Sequence, residues 1–241
     1  MSDFTTWRSL VDGEEIGVIP DSGGSHQWNL DEGEGDTVNP ARGSLTGSIS
    51  GASWNGEAGV GGFVLEFSDD DLVDFGSESQ NESKHFAEDG VGAVPIVFNT
   101  NDSAARQHCI GYSVGGTDDA QWQVLLWDGS FRFRCIDDNG SFMWDIEAGT
   151  VPQDDYVFYL ATANGSTASI YEAQFPNPDL SEVDSASISG GTSFESHNEN
   201  LTLSDPNDIV DGFLDIPVID DEGWSQQRGQ DWADNIAEFY E

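Results

Sequence analysis

Short runs of roughly alternating apolar and polar residues follow one another along most of the chain. Apolar side chains at every second position are typical of a strand with one buried face. Gly, Asn, Asp and Pro clusters separate the runs and are typical of turns. The runs are 27–30, 43–54, 63–67, 72–76, 93–98, 107–114, 121–127, 131–135, 142–146, 156–163, 169–171, 200–203 and 212–219. The pattern predicts an all-β protein built from antiparallel sheets.

Three dipeptides between apolar runs predict the positions of tight hairpins. They are Asp128-Gly129, Asn139-Gly140 and Asn164-Gly165. Both central residues of a type I′ turn need a positive φ, which Gly, Asn and Asp adopt most easily. Consecutive antiparallel pairing is therefore expected through the middle of the chain.

The remaining segments divide into two polar connections and one helix. Residues 77–92 predict a polar loop, and residues 174–211 predict a loop-rich stretch whose one strand is 200–203. Trp232, Ile236 and Tyr240 recur at helical spacing behind Asp231, which predicts a short amphipathic helix at the C-terminus.

The first twenty residues are too apolar for a solvated tail, and two interpretations stay open. Residues 1–20 form either an edge strand of the main fold or an arm that docks on a neighbouring subunit. With neither an internal repeat nor a linker, residues 21–241 are interpreted as one domain. The start of the chain has no basic, apolar secretory signal, and no run reaches the length of a membrane span.

Charge is the strongest compositional signal. The 241 residues contain 46 Asp and Glu against 7 Lys and Arg, a net charge of −39. High net charge also accompanies disorder, but 8 Trp, 14 Phe and regular turn chemistry favour a folded core. Self-repulsion of such a surface is relieved at ~1 M salt, where the Debye length is about 3 Å. The composition therefore predicts adaptation to very high salt and disfavours nucleic acid and anionic membranes as partners.

Candidate catalytic and metal-binding groups do not form a recognisable motif. Glu182 and Asp184 have no second acid at the spacing of a retaining glycosidase, so they are interpreted as loop acids. His26 and His108 are interpreted as ordinary sheet residues. Cys109 and Cys135 either pair across neighbouring strands or remain as buried thiols, the commoner arrangement. We therefore expect no enzymatic activity.

Three of the seven positive charges gather on the predicted central sheet. Arg132 and Arg134 alternate with apolar residues, so both point to one face of their strand; Arg106 precedes the run 107–114. These arginines either neutralise adjacent carboxylates or form a contact patch for an acidic neighbour, including another copy of the chain.

The segment 26–76 has a specific order of residues. An aromatic strand leads into an acidic Gly-rich turn, a small-residue run ends on tryptophan, and two strands flank an acidic turn. The positions concerned are Trp28, Leu30, Asp31, Glu32, Gly33, Gly35, Leu45, Ala52, Trp54, Gly61, Leu65, Phe67, Asp69, Val73 and Gly76. This order resembles the opening of the laminin-G-like, concanavalin-A-like jelly-roll family. The run 157–173 and the segment 212–219 are similar to later parts of that family, with Pro217 as a departure.

The resemblance implies an antiparallel β-sandwich of jelly-roll type that closes with a short helix. It also implies calcium as a possible cofactor at the sandwich rim, where 69–71, 118–119 and 137–138 are acidic turns. Family members recognise glycans or proteins outside cells. The fold also hosts carbohydrate-active proteins and adhesins, so fold alone does not choose among them.

Together these features lead to one expected function. We expect a non-enzymatic surface protein of a halophilic archaeal virus, as a capsid decoration, turret or tail-fibre component. Its expected partners are other virion proteins, copies of itself and a host surface glycan or glycoprotein. Such a protein is made in the host cytoplasm and reaches the virion surface by assembly. The alternative is a carbohydrate-binding or carbohydrate-active protein, or an adhesin domain, of a halophilic archaeon.

Overall fold

The computed structural model describes residues 6–9, 15–18, 25–56, 59, 62–77, 90–112, 122–137, 140–189 and 200–240. These residues form twenty strands, one α-helix and a terminal 3₁₀ turn. The strands are β1 (Thr6–Ser9), β2 (Glu15–Val18), β3 (His26–Trp28), β4 (Thr37–Val38), β5 (Pro40–Arg42), β6 (Gly47–Ser50), β7 (Ser53–Asn55), β8 (Val64–Phe67), β9 (Leu72–Ser77), β10 (Val91–Thr100), β11 (Gln107–Tyr112), β12 (Trp122–Trp127), β13 (Ser130–Ile136), β14 (Phe142–Thr150), β15 (Val157–Asn164), β16 (Thr167–Gln174), β17 (Ser181–Ser187), β18 (Asn200–Leu203), β19 (Gly212–Asp215) and β20 (Val218–Ile219). The helix α1 spans Gln226–Ile236, and the 3₁₀ turn spans Ala237–Tyr240.

Two antiparallel sheets pack face to face. The seven-stranded sheet has the order β17-β16-β15-β10-β19-β8-β7, and the eight-stranded sheet has the order β14-β13-β12-β11-β18-β9-β6-β4. Apolar side chains from both inner faces form the main core, with Phe131 of one sheet stacked on Tyr159 of the other at 3.9 Å between ring centroids. The predicted fold class, an all-β antiparallel sandwich of jelly-roll type with a short C-terminal helix, is confirmed.

The helix α1 covers the outer face of the seven-stranded sheet. Trp232 and Ile236 of α1 pack with Phe158, Leu160 and other apolar side chains into a second buried cluster. Ser225 caps the helix, and its side chain accepts a hydrogen bond from the backbone N–H of Arg228. The predicted start behind Asp231 is wrong because the first turn, Gln-Gln-Arg-Gly, has no apolar side chain to reveal helical spacing.

A buried carboxylate ties the helix to the strands before it. Asp220 is 1% exposed and accepts hydrogen bonds from the Trp224 indole, the Arg228 guanidinium and the Ser25 hydroxyl. The Arg228 guanidinium also lies 4.4 Å from the centroid of the Trp224 ring. We call Asp220, Trp224 and Arg228 the helix anchor. Since these groups all donate to the carboxylate, its burial is compensated.

Two connections differ from the sequence prediction. Residues 181–187 form the strand β17 at the edge of the seven-stranded sheet, so the stretch 174–211 is not as loop-rich as expected. The strand is mostly exposed and polar, and it therefore lacks the alternation that marks a half-buried strand. The segment 212–219 is not one strand, because a positive φ of 43° at Ile216 separates β19 from β20. β19 lies inside the seven-stranded sheet, and β20 lies at the edge of a small sheet with β3 and β5.

The hairpin predictions have different outcomes. Asp128 and Gly129 have φ values of 52° and 82°, and they join β12 to β13 as expected of a type I′ turn. At Asn164-Gly165 only the glycine has a positive φ. Asn164 ends β15, and its Oδ1 accepts hydrogen bonds from the N–H groups of Ser166 and Thr167. Asn139 lies outside the described residues.

The N-terminal strands pair only with each other among the described residues. β1 and β2 form an antiparallel two-stranded sheet. The assignment of 1–20 as a separate arm or edge element stays a prediction, as does the single domain 21–241. The predicted loop 77–92 lies largely outside the described residues, since its positions 78–89 are not described.

Candidate functional site

The outer face of the eight-stranded sheet presents the predicted arginines. In β13 the residues Phe131, Phe133 and Cys135 point into the core, and Arg132 and Arg134 between them point outward. The alternation expected from the sequence is therefore present.

The arginines meet around one tryptophan. The guanidinium carbons of Arg106, Arg132 and Arg134 lie 4.7, 5.1 and 5.6 Å from the centroid of the Trp127 ring. All three distances are within the range of a cation–π contact. Arg134 also lies 4.7 Å from the ring centroid of Phe142 on β14. We call Arg106, Trp127, Arg132, Arg134 and Phe142 the arginine–aromatic cluster.

Carboxylates surround the cluster. Arg132 pairs with Glu147 at 2.6 Å and lies 3.8 Å from Asp145, both on β14. Arg106 pairs with Asp208 at 3.0 Å. Burial raises the pKa of Asp208, and the positive charge of Arg106 opposes that rise. Part of the positive charge is thus neutralised within the chain, which is one of the two roles expected for these arginines.

The cluster runs from the protein interior to solvent. Arg134 is 2% exposed, whereas Phe142 is 42% exposed and is one of two large apolar side chains of the described residues that are exposed. The side chain of Glu147 is 54% exposed and that of Arg132 is 23% exposed. An incoming molecule therefore has direct access to Phe142, Arg132 and Glu147.

Trp127 and Phe142 are the site residues that sequence reasoning missed. A two-residue turn at 128–129 fixes the register, so Trp127 pairs with Ser130 and Leu125 pairs with Arg132. Residues two apart share a face, and Trp127 must therefore lie diagonally beside Arg132. The hairpin signal could have revealed this neighbour. The hairpin signal at Asn139-Gly140 likewise predicts that the strand of Phe142 lies beside β13. Arg106 precedes β11, and no hairpin signal predicts its contact with Trp127.

His108 lies on the same sheet at the buried side of the cluster. It is fully buried, and its Nδ1 lies 3.4 Å from Nε2 of Gln123. Burial lowers the pKa of His108 to about 4, with the nearby Asp205 opposing the shift. His26 is also buried and stacks on Trp28, with 5.8 Å between ring centroids. Both histidines therefore lie in the sheets, as the sequence predicts.

Glu182 and Asp184 lie on β17, so their interpretation as loop acids is wrong. Asp184 accepts a hydrogen bond from the N–H of Glu147 at 3.0 Å, and Glu182 accepts one from the hydroxyl of Ser185. The bond from Glu147 joins the edge strand β14 of one sheet to the edge strand β17 of the other. This contact helps to close the sandwich along that side.

The acidic turns contain local hydrogen bonds where they are described. Asp71 accepts from the N–H of Ser68, and Asp137 accepts from the N–H of Ser141. Residues 118–119 and Asp138 lie outside the described residues. Within the described part of the chain, no three His, Cys, Asp or Glu side chains are grouped as metal ligands. Calcium binding stays a prediction.

Cys109 and Cys135 are buried free thiols, which confirms the commoner of the two expected arrangements. Burial raises the pKa of both thiols, so neither is a reactive thiolate at neutral pH. Among the described residues, no helix has the length and apolar character needed to span a membrane.

Comparison with known proteins gives similarity in structure alone. No family model matches the sequence, and no curated protein matches it. A Trypanosoma rangeli sialidase in complex with sialic acid superposes with a TM-score of 0.61 at 9% identity, over 95% of this chain and 35% of the sialidase. The binding domain of Paraclostridial Mosquitocidal Protein 1 gives a TM-score of 0.63 at 15% identity, over 86% of this chain and 51% of that chain.

The receptor-binding domain of botulinum neurotoxin type G is a further structural neighbour. Its TM-score is 0.57 at 13% identity, over 86% of this chain and 50% of that chain. The chain thus spans about a third to a half of the proteins it resembles. At these identities the comparison shows the sandwich fold, and the class of protein defined so far is a jelly-roll-type β-sandwich.

Proposed function

We propose that this chain is a non-enzymatic binding module on the virion surface of a halophilic archaeal virus. In this role it decorates the capsid, forms part of a turret or belongs to a tail fibre, and it contacts a host surface glycan or glycoprotein. The single observation that carries the binding role is the arginine–aromatic cluster. A chain with only 7 Lys and Arg and a net charge of −39 places three arginines around one tryptophan on the outer face of a sheet, where Arg132 and Phe142 reach solvent.

Two further observations support this proposal. The acidic residues are spread along the whole sequence, as a general adaptation to concentrated salt requires. Structural neighbours with the same fold include a toxin's binding domain and a neurotoxin's receptor-binding domain. Recognition of an external surface is therefore a role that this fold accommodates.

Salt dependence tests the halophilic part of the proposal. We expect the melting temperature to rise between ~0.1 M and ~3 M KCl, because salt screens the repulsion among carboxylates. Differential scanning calorimetry across this range measures the effect. An unchanged melting temperature would contradict adaptation to high salt.

Fractionation of infected halophilic cultures tests the virion part. Particles purified in concentrated salt are probed by mass spectrometry and by antibody labelling in the electron microscope. We expect the chain to be abundant in particles and labelled on their surface. Detection only in envelopes of uninfected cells would exclude the virion role and favour a cellular adhesin domain.

A further inference from the structure

The arginine–aromatic cluster has the chemistry of a site for one class of ligand. We propose that it binds an acidic saccharide, a chain of sugar rings that carry carboxylates, with a sugar face on Phe142 and a carboxylate on Arg132. This inference rests on the proposed binding function and names its ligand.

Aromatic and cationic side chains follow one another on the outer face of the sheet. Arg134 lies between two aromatic rings, 4.7 Å from Phe142 and 5.6 Å from Trp127, and Trp127 is in turn contacted by Arg106 and Arg132. Aromatic and cationic groups therefore alternate. A uronate complements the accessible members, Phe142 and Arg132, since its ring presents a face of C–H groups and a carboxylate.

A carboxylate of the chain itself already occupies the position proposed for that of the ligand. Glu147 lies 2.6 Å from Arg132, and its side chain is 54% exposed. An exposed ion pair of this kind contributes little and exchanges readily. The guanidinium fork of arginine matches a carboxylate in two parallel hydrogen bonds. A ligand carboxylate is thus able to replace that of Glu147.

Concentrated salt restricts electrostatic attraction at the cluster to groups in contact. In concentrated KCl the Debye length falls below about 3 Å, so the net charge of −39 neither repels nor attracts a ligand from a distance. Only groups in contact with the ligand still contribute to its binding, through hydrogen bonds and stacking. Such contacts are what the cluster supplies, and the exposed ring of Phe142 gives the ligand a place to stack.

Titration with a short oligogalacturonate tests the proposal, with the neutral oligosaccharide of galactose as the comparison. The titrations are carried out by calorimetry in ~3 M KCl, where charges beyond contact are screened. We expect the uronate to bind and the neutral sugar to bind at least about tenfold more weakly, because it lacks the charged hydrogen bonds. Equal binding of the two sugars, or no binding of the uronate by the folded chain, would overturn the proposal.

Matched variants identify the site. Phe142→Ala is expected to weaken uronate binding at least about fivefold through the lost stacking, and Val183→Ala, at a side chain of similar exposure on β17, is expected to leave binding unchanged. Arg132→Gln is expected to weaken it about tenfold or more. Circular dichroism confirms that each variant is folded. Equal losses in the Phe142 and Val183 variants would contradict the assigned site.

A gain in affinity provides the sharpest test. Glu147→Gln removes the competing carboxylate and is expected to tighten binding about twofold to fivefold, the amount lost with an exposed ion pair. Glu222→Gln is the control, because Glu222 is 64% exposed and pairs with Arg228 of the helix anchor. Both variants change the net charge equally. Weaker binding by Glu147→Gln would place that carboxylate among the ligand's partners and overturn the proposed position.

Binding of the chain to isolated halophile envelopes, measured before and after chemical or enzymatic treatment of the envelopes, distinguishes a saccharide ligand from an acidic protein. Periodate oxidises sugar diols and leaves protein carboxylates intact, whereas protease treatment removes polypeptide. Loss of binding after periodate supports the saccharide, and loss only after protease overturns it.

Particles that contain the chain but bind no uronate would refute this ligand and leave the virion role. Uronate binding by a chain absent from particles would refute the virion role and leave the ligand.

Discussion

Two regions of this molecule combine arginine, tryptophan and carboxylate in different ways. In the helix anchor, Arg228 contacts Trp224 and donates to Asp220, which is 1% exposed and has three further donors. In the arginine–aromatic cluster, three arginines share Trp127, and the carboxylate nearest to Arg132 is more than half exposed. A buried carboxylate with a complete set of donors holds elements together. An accessible arrangement with exchangeable carboxylates is suited to recognition.

The largest expected effect is on the free energy of unfolding, and it differs between the carboxylates of the two regions. Asp220→Ala is expected to lower the free energy of unfolding by about 3–5 kcal/mol, because it removes the buried acceptor that the Trp224 indole and the Arg228 guanidinium share and leaves Arg228 only its pair with the exposed Glu222. Asp145→Ala, which removes a partly exposed carboxylate 3.8 Å from Arg132, is expected to lower it by less than about 1 kcal/mol. Urea unfolding in concentrated KCl measures both. Equal losses would mean that the two regions do not differ in kind.

The buried side of the cluster has an expected pH dependence. The pKa of His108 is about 4 in the folded protein, against 6.5 for an ordinary histidine. The unfolded chain therefore binds the proton more tightly, and stability falls as the pH drops from about 6.5 towards about 4. Between pH 7.5 and 4.5 this amounts to about 2–3 kcal/mol.

Comparison with His108→Gln isolates this contribution, since the other titrating groups are common to both proteins. Urea midpoints at the two pH values are expected to differ more in the wild type than in the variant. The same loss in both would show that His108 is not held neutral by burial.

The smallest expected effect concerns the exposed glutamates. Glu147→Gln and Glu222→Gln are each expected to change the free energy of unfolding by less than about 1 kcal/mol, because both pairs are accessible to water and salt. Thermal unfolding at two salt concentrations measures the changes. A larger loss in Glu147→Gln would indicate that the pair with Arg132 is structural, and it would weaken the case for exchange with a ligand.

Sequence patterns predicted the elements whose signal is local. Alternation of Phe131, Arg132, Phe133 and Arg134 gave the face of β13, and Asp128-Gly129 gave the turn before it. The edge strand β17 was missed because an exposed strand on a sheet edge needs no apolar alternation. The start of α1 was misplaced because its first turn is polar and is recognised through the cap at Ser225.

The sequence by itself determined the fold class, the acidic character and the outward direction of Arg132 and Arg134, since period-two alternation and composition are properties of neighbouring residues. Only the tertiary structure decided that Arg106 joins them around Trp127, that Arg134 contacts Phe142, and that Asp220 meets Ser25 across 195 positions. Such meetings depend on which strands become neighbours in a sheet and on how the two sheets and the helix pack. Long-range packing of this kind is set by the whole core, and it leaves no periodic trace along the chain.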